Sequence, residues 1–160
     1  MLKKLSLKNI LITLALILLL SQFFRIDKTN PTLQAEQDIT AVMKVPIELA
    51  SILKTSCYDC HSNEVNYPWY TNVAPLSWWI KNHINEGREE LNFSEWGTYT
   101  SRRKDKKLKE CAEMIEANEM PLSSYTLIHT ETKLSQEQKA QLIAWFNFNR
   151  TYESDTPKED

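Results

Sequence analysis

Apolar positions fall along the chain in several distinct patterns, and each predicts its own element. From Asn9 to Phe24 there is no charge, and the centre of that run, Ile10–Leu20, is Leu and Ile broken only by Thr13 and Ala15. An apolar run preceded by Lys3, Lys4 and Lys8 has the layout of an export signal. As a helix its sixteen residues rise about 24 Å against a hydrocarbon core of about 30 Å. Snorkelling of Lys8 and Arg25 would cover that shortfall. Further on, Leu49, Ile52, Leu53 and Ser56 recur at helical spacing behind Pro46, a residue suited to the first helical position. Pro75 opens a longer stripe of Leu76, Trp79, Ile80, His83, Ile84, Gly87 and Leu91, which leaves Trp78 on the opposite side. A charged helix is predicted from Thr100 or Ser101, with Leu108, Cys111, Ala112 and Ile115 inward, Met114 turned away and Pro121 as its stop. Ser135 with Gln138 forms a capping box for a last helix that presents Leu142, Trp145 and Phe146. No stretch alternates as a strand would, so the fold class expected is all-α.

The patterns divide the chain into a signal anchor or transmembrane segment over 1–26, a polar tether over 27–37, a helical domain over 38–152 and a polar tail over 153–160. The run Asn66–Ala74 reads as an aromatic loop and Asn92–Tyr99 as a break. Only 2 of 160 residues are Gly, which argues against Gly-rich phosphate cradles and tight hairpins. Net charge is −2, but the first 28 residues carry +4 and the rest −6, so no basic surface suited to nucleic acid remains outside the amino terminus. The h-region is followed by neither an A-x-A cleavage site nor a cysteine, which favours a retained anchor over a cleaved signal or a lipoprotein. The positive-inside bias then places the domain on the extracytoplasmic side of the cytoplasmic membrane, with the lipid bilayer as one partner.

One motif carries specific chemistry. Cys57-Tyr-Asp-Cys60-His61 is a C-x-x-C-H sequence, the attachment signal for c-type haem. Two thiols a helical turn apart suit addition to two porphyrin vinyl groups, and the adjoining histidine then reaches the iron. A thioredoxin-like pair would want a strand before it, and a zinc site would need two more ligands, such as Cys111 with His83 or His129. A sixth iron ligand decides the chemistry: a thioether favours electron transfer, whereas an open site admits small ligands. Met120, just before Pro121 and 59 residues after His61, is the leading candidate, with His83 and His129 as rivals. Cys111 reads as a reduced thiol on an inner face. The aromatics Tyr67, Trp69, Tyr70, Trp79 and Trp145 read as packing, some of it around the cofactor. The basic run Arg102–Lys109 reads as a solvated face with some capacity to dock an acidic redox partner. No nucleophile–base pair or second cofactor motif suggests an enzyme.

The string Cys-Tyr-Asp-Cys-His-Ser-Asn-Glu, followed by Tyr67-Pro-Trp-Tyr70, Asn82–Arg88, Leu91–Trp96, Glu119–Tyr125, Ile128-His129 and Leu134–Gln138, resembles a bacterial haem-binding domain family of small membrane-anchored c-type cytochromes. The resemblance covers about residues 38–150; Cys111 is no part of it. It implies a cytochrome c-like domain around one covalent haem c on Cys57, Cys60 and His61, with Met120 as the distal iron ligand. The function expected is one-electron transfer between membrane or exported redox partner proteins. The alternative is a haem-based sensor or ligand binder with a displaceable sixth ligand.

Overall fold

The structure, a computed structural model, describes residues 6–150, so Lys3, Lys4 and the tail over 153–160 lie outside the described residues. Helices α1 (Leu7–Ser21), α2 (Ile39–Val42), α3 (Ile47–Ser56), α4 (Tyr58–His61), α5 (Leu76–Glu90), α6 (Ser101–Glu116), α7 (Ser123–Thr126) and α8 (Gln136–Phe148) are joined by loops and four short 3₁₀ turns. No strand occurs among the described residues, in keeping with the all-α expectation.

The predicted helix starts are met by local chemistry. The Pro46 carbonyl accepts the Ala50 amide at 2.8 Å, and Thr100 Oγ1 accepts the Arg103 amide at 3.3 Å. Ser135 Oγ accepts the Gln138 amide at 3.1 Å while Gln138 Oε1 accepts the Ser135 amide at 2.9 Å, completing the capping box. Helix α6 stops at Glu116, several residues before Pro121. Asn118 enters the left-handed region at φ 59°, its amide donates to Ile115 O at 3.1 Å, and the Glu119 amide donates to Met114 O at 2.9 Å. This is a Schellman stop with Asn in the place usually held by Gly.

The core forms where α6 packs along α8 and α3 closes against both α4 and α8. Leu53, Leu108, Leu142 and Phe146 are buried there, with Ile39, Phe93 and Trp96 continuing the cluster. The break expected at Asn92–Tyr99 does separate α5 from α6, and it is ordered: Phe93–Thr98 is a 3₁₀ turn whose Phe93, Ser94 and Trp96 are buried. Asn92 Oδ1 caps that turn by accepting the Ser94 amide at 3.1 Å, while the buried Trp96 Nε1 has no hydrogen-bond partner among the described residues. The basic face of α6 is also less solvated than its charge suggests. Lys107 is buried along its stem and reaches Glu110 at 2.7 Å and Glu90 at 3.3 Å, while Arg103 lies 3.9 Å over the Tyr99 ring.

The expected signal anchor over residues 1–26 falls on helix α1 and the residues on either side of it, of which 1–5 lie outside the described residues. Helix α1 has 15 residues and rises about 22 Å, and no helix among the described residues is long and apolar enough to cross a membrane. None of its residues is buried by the rest of the chain. The segment after it is held to the domain at several points. Gln22 Nε2 donates to Ala74 O at 2.9 Å, Gln22 Oε1 accepts the Ala74 amide at 3.0 Å, and Trp78 Nε1 donates to Phe24 O at 2.7 Å. Lys28 Nζ reaches Asn72 Oδ1 at 2.6 Å, and Asn30 Nδ2 donates to Val65 O at 2.9 Å.

Leu142 is fully buried between α6 and α3, so Leu142→Ala should lower the unfolding free energy by about 2–5 kcal/mol. Urea denaturation followed by helical circular dichroism measures it, and a change below about 1 kcal/mol would mean that the α6–α8 seam is not the packed core described.

Candidate haem-attachment site

Helix α3 ends because Cys57, at φ −127°, leaves helical geometry, and the chain turns at once into the single turn α4. The Cys57 carbonyl accepts both the Cys60 amide at 3.2 Å and the His61 amide at 3.0 Å, which fixes all three motif residues on one tight turn. Tyr58, between them, is buried: it stacks on Phe93 at 5.5 Å, and its hydroxyl donates to the Asp38 carboxylate at 2.9 Å.

His61 Nδ1 lies 2.9 Å from Gly87 O and 3.1 Å from Leu91 O. Carbonyl oxygens only accept, so Nδ1 carries the proton and Nε2 keeps its lone pair. Burial pushes the imidazole pKa below its ordinary value, against the opposing pull of the two carbonyls, which keeps the ring neutral as iron ligation requires. A carbonyl on the far nitrogen is also the usual way in which a metal-bound histidine is oriented. Gly87 is what allows the approach, since a Cβ there would stand 2.8 Å from Cys60 O. Cys57 and Cys60 are free thiols, raised by burial to about 12 and about 11. They are accordingly thiols rather than thiolates in the folded chain.

Beside the motif opens a cleft. One wall is α5, through Leu76, Trp79, Ile80 and Ile84; the other is the 122–129 segment, through Leu122, Tyr125 and Ile128. Cys60 lies at its base, and Tyr67 and Tyr70 close one side. Asp59 ties the motif to both surroundings, accepting the Asn66 amide at 3.0 Å and the Tyr125 hydroxyl at 2.6 Å. Burial, together with that carboxylate, holds the Tyr125 phenol well above its usual range.

Of the residues singled out from sequence, Cys57, Cys60 and His61 are brought together, and Cys60 lines the cleft. Met120 is half-buried on the turn after α6 and does not line the cleft itself, although the wall begins two residues later at Leu122. Both rival histidines do line it. His83 Nδ1 donates to Trp79 O at 3.0 Å within its own helix. His129 has both nitrogens engaged, Nε2 with the Tyr70 hydroxyl and Nδ1 with Glu131 at 3.2 Å. Cys111 packs at the edge of the core, its thiol raised by burial and by Cys57 nearby. Among the described residues no three of His, Cys, Asp and Glu converge as a metal would require, so the zinc arrangement with Cys111 is not assembled. Nor does a strand precede the cysteine pair as a thioredoxin-like site would want. Sequence reasoning missed Asp59 and Tyr125, whose pairing spans 66 residues and leaves no local signal.

A neutral histidine oriented by backbone, two free thiols on the same turn and an adjoining cleft walled by aliphatic and aromatic side chains form a donor set that fits haem. The fold and site together define a small helical haem-binding protein. The sequence matches the haem-binding domain family over residues 16–148, and the chain belongs to that family. No curated protein and no solved structure matches it.

Gly87→Ala should force α5 away from the Cys60 carbonyl and cost about 1–3 kcal/mol, read as a lower melting temperature of the haem-free chain. An unchanged melting temperature would show that α5 and the motif turn are not in the close contact described.

Proposed function

We propose that the chain binds one haem c through thioethers to Cys57 and Cys60, with His61 and Met120 as iron ligands, and transfers single electrons between redox partners at the outer face of the cytoplasmic membrane. The observation that carries this reading is the orientation of His61, whose Nδ1 is spent on the Gly87 and Leu91 carbonyls while two unpaired thiols share its turn. Each thiol would add its S–H across one vinyl group, a reaction that needs no oxidant. When bound, the haem supplies a one-electron couple whose potential depends on its axial ligands and on burial. The protein's part is to hold His61 neutral, to keep water from the apolar cleft walls, and to tie the motif to the opposite wall through Asp59 and Tyr125.

Met120 is supported by the chain path. The Schellman stop at Asn118 ends α6 before Met120, whose amide still donates to Met114 O at 3.2 Å, and the cleft wall begins two residues beyond it. His129 is disfavoured because ligation would cost it the Tyr70 hydroxyl or Glu131. Attachment to the membrane through α1 is supported by a helix of almost purely aliphatic residues of which none is buried. Covalent haem attachment and the lysine-rich amino terminus both favour an extracytoplasmic domain.

A second reading is favoured by one observation: His83 lines the cleft and Met120 does not. In that reading the sixth position is held weakly or by His83, and the protein senses or binds a small ligand. Carbon monoxide added to the reduced holoprotein separates the two. Exclusion in the wild type, admission in Met120→Ala, and loss of the sulfur-to-iron charge-transfer band in the oxidised variant are the outcomes expected for Met120 ligation. Ready binding by the wild type would favour the second reading.

The attachment itself is tested by denaturing electrophoresis with haem staining. The wild-type band should retain its haem, the Cys57→Ser/Cys60→Ser variant should lose it entirely, and a persistent stain in that variant would remove the proposal.

A further inference from the structure

Five large apolar side chains are exposed where α1 meets the domain and lie outside the lining of the haem cleft: Phe23, Phe24, Trp69, Val73 and Trp78. Phe23 is 84% exposed and Trp69 78%. Phe23 and Phe24 continue directly from the uncovered helix α1, and the other three belong to the domain. The two groups are fastened together by backbone-directed hydrogen bonds. Gln22 exchanges a donor and an acceptor with the Ala74 backbone at 2.9 and 3.0 Å, and Trp78 Nε1 donates to Phe24 O at 2.7 Å. A second cleft lies at this joint, lined by Arg25 and Lys28 among others. Asp27 is the one carboxylate between residues 22 and 30, and its Oδ1 already accepts the Thr29 amide at 2.8 Å.

Exposed tryptophan and phenylalanine beside arginine and lysine at the end of an apolar helix is the composition of a membrane–water interface. Aromatic rings there sit at headgroup level, and basic side chains are attracted to anionic lipid. A linker left free would let the domain turn, but the Gln22–Ala74 and Trp78–Phe24 bonds tie it to the same chain segment that continues into α1. Resting on the membrane attachment proposed above, we infer that this aromatic face lies in the headgroup layer of an anionic phospholipid bilayer and that the Gln22–Ala74 and Trp78–Phe24 clasp holds it there. Leu76 and Trp79, beside Trp78 on α5, line the haem cleft, and Thr71 lines both clefts. The docked face thus keeps the cleft at the bilayer surface.

The test uses the full-length holoprotein on vesicles of phosphatidylethanolamine and phosphatidylglycerol that carry a lipid with a photoactivatable diazirine at headgroup depth. Flotation reports attachment, and mass spectrometry maps the adducts. The proposal expects adducts both on 7–24 and on 69–78. In Gln22→Ala/Trp78→Phe, checked for an unaltered haem spectrum, the adducts on 69–78 should fall several-fold while those on 7–24 remain. Adducts confined to 7–24 in the wild type would overturn docking and leave attachment standing. Adducts on 69–78 that persist undiminished in the clasp variant would overturn the role of the clasp. Failure to float, with α1 instead cross-linking to a second copy, would overturn both docking and attachment.

Discussion

The contact on which the rest of the site depends is the one between His61 Nδ1 and the Gly87 carbonyl. It is made by backbone at one end and by a ring nitrogen at the other, so it sets both tautomer and bearing of the imidazole without calling on a further side chain. It is possible only because α5 comes within contact of the Cys60 carbonyl, and that approach in turn depends on hydrogen at position 87. The long helix that walls the cleft is therefore the same one that orients the histidine. Cleft and ligand are registered to each other by a single α4–α5 seam.

The surrounding electrostatics follow the same economy. The charged helix α6 is not simply a wet face: Lys107 lays its stem into the protein and meets Glu90 from α5 and Glu110 one turn away. Arg150, at the end of the described chain, reaches the buried Asp105 at 3.7 Å. The Lys107–Glu90 and Arg150–Asp105 pairs, each with one buried partner, link α6 to α5 and to the end of α8. On the opposite side, Asp59 and Tyr125 bridge the thiol motif and the far wall of the cleft directly.

Much of this was readable along the chain, and the reasons are local. Pro46, Pro75, Thr100 and Ser135 announce helix starts through fixed φ or a side-chain acceptor, and all four stand where the helices begin. The thiol pair and histidine are adjacent in sequence, so their assembly needed no tertiary knowledge. What could not be read depends on distance along the chain. Phe93 and Trp96 lack helical periodicity, and only their neighbours from α2, α4 and the 35–37 turn reveal them as core. The aromatic loop gave no hint that Tyr70 would meet His129, 59 residues away. Residues 27–37 read as a polar tether, because nothing in Asn30 distinguishes a side chain in water from one bonded to a remote backbone. Whether Met120 reaches the iron is equally a question of long-range closure, which is why a sequence-adjacent triad was legible and its fourth member was left open.

The two glycines carry a further consequence. Neither has a positive φ; the left-handed positions are taken by Lys44 and Asn118 instead. Gly87 faces the Cys60 carbonyl, and a Cβ on Gly97 would stand 3.2 Å from the Gln37 Cα. In this chain glycine therefore serves as a spacer of zero thickness between surfaces rather than as a hinge. Other joints in the molecule have a side chain that drift can enlarge, trim or reshape. These two can only be thickened, and at Gly87, where the neighbour is a backbone carbonyl rather than the movable end of a side chain, added bulk has nowhere to go.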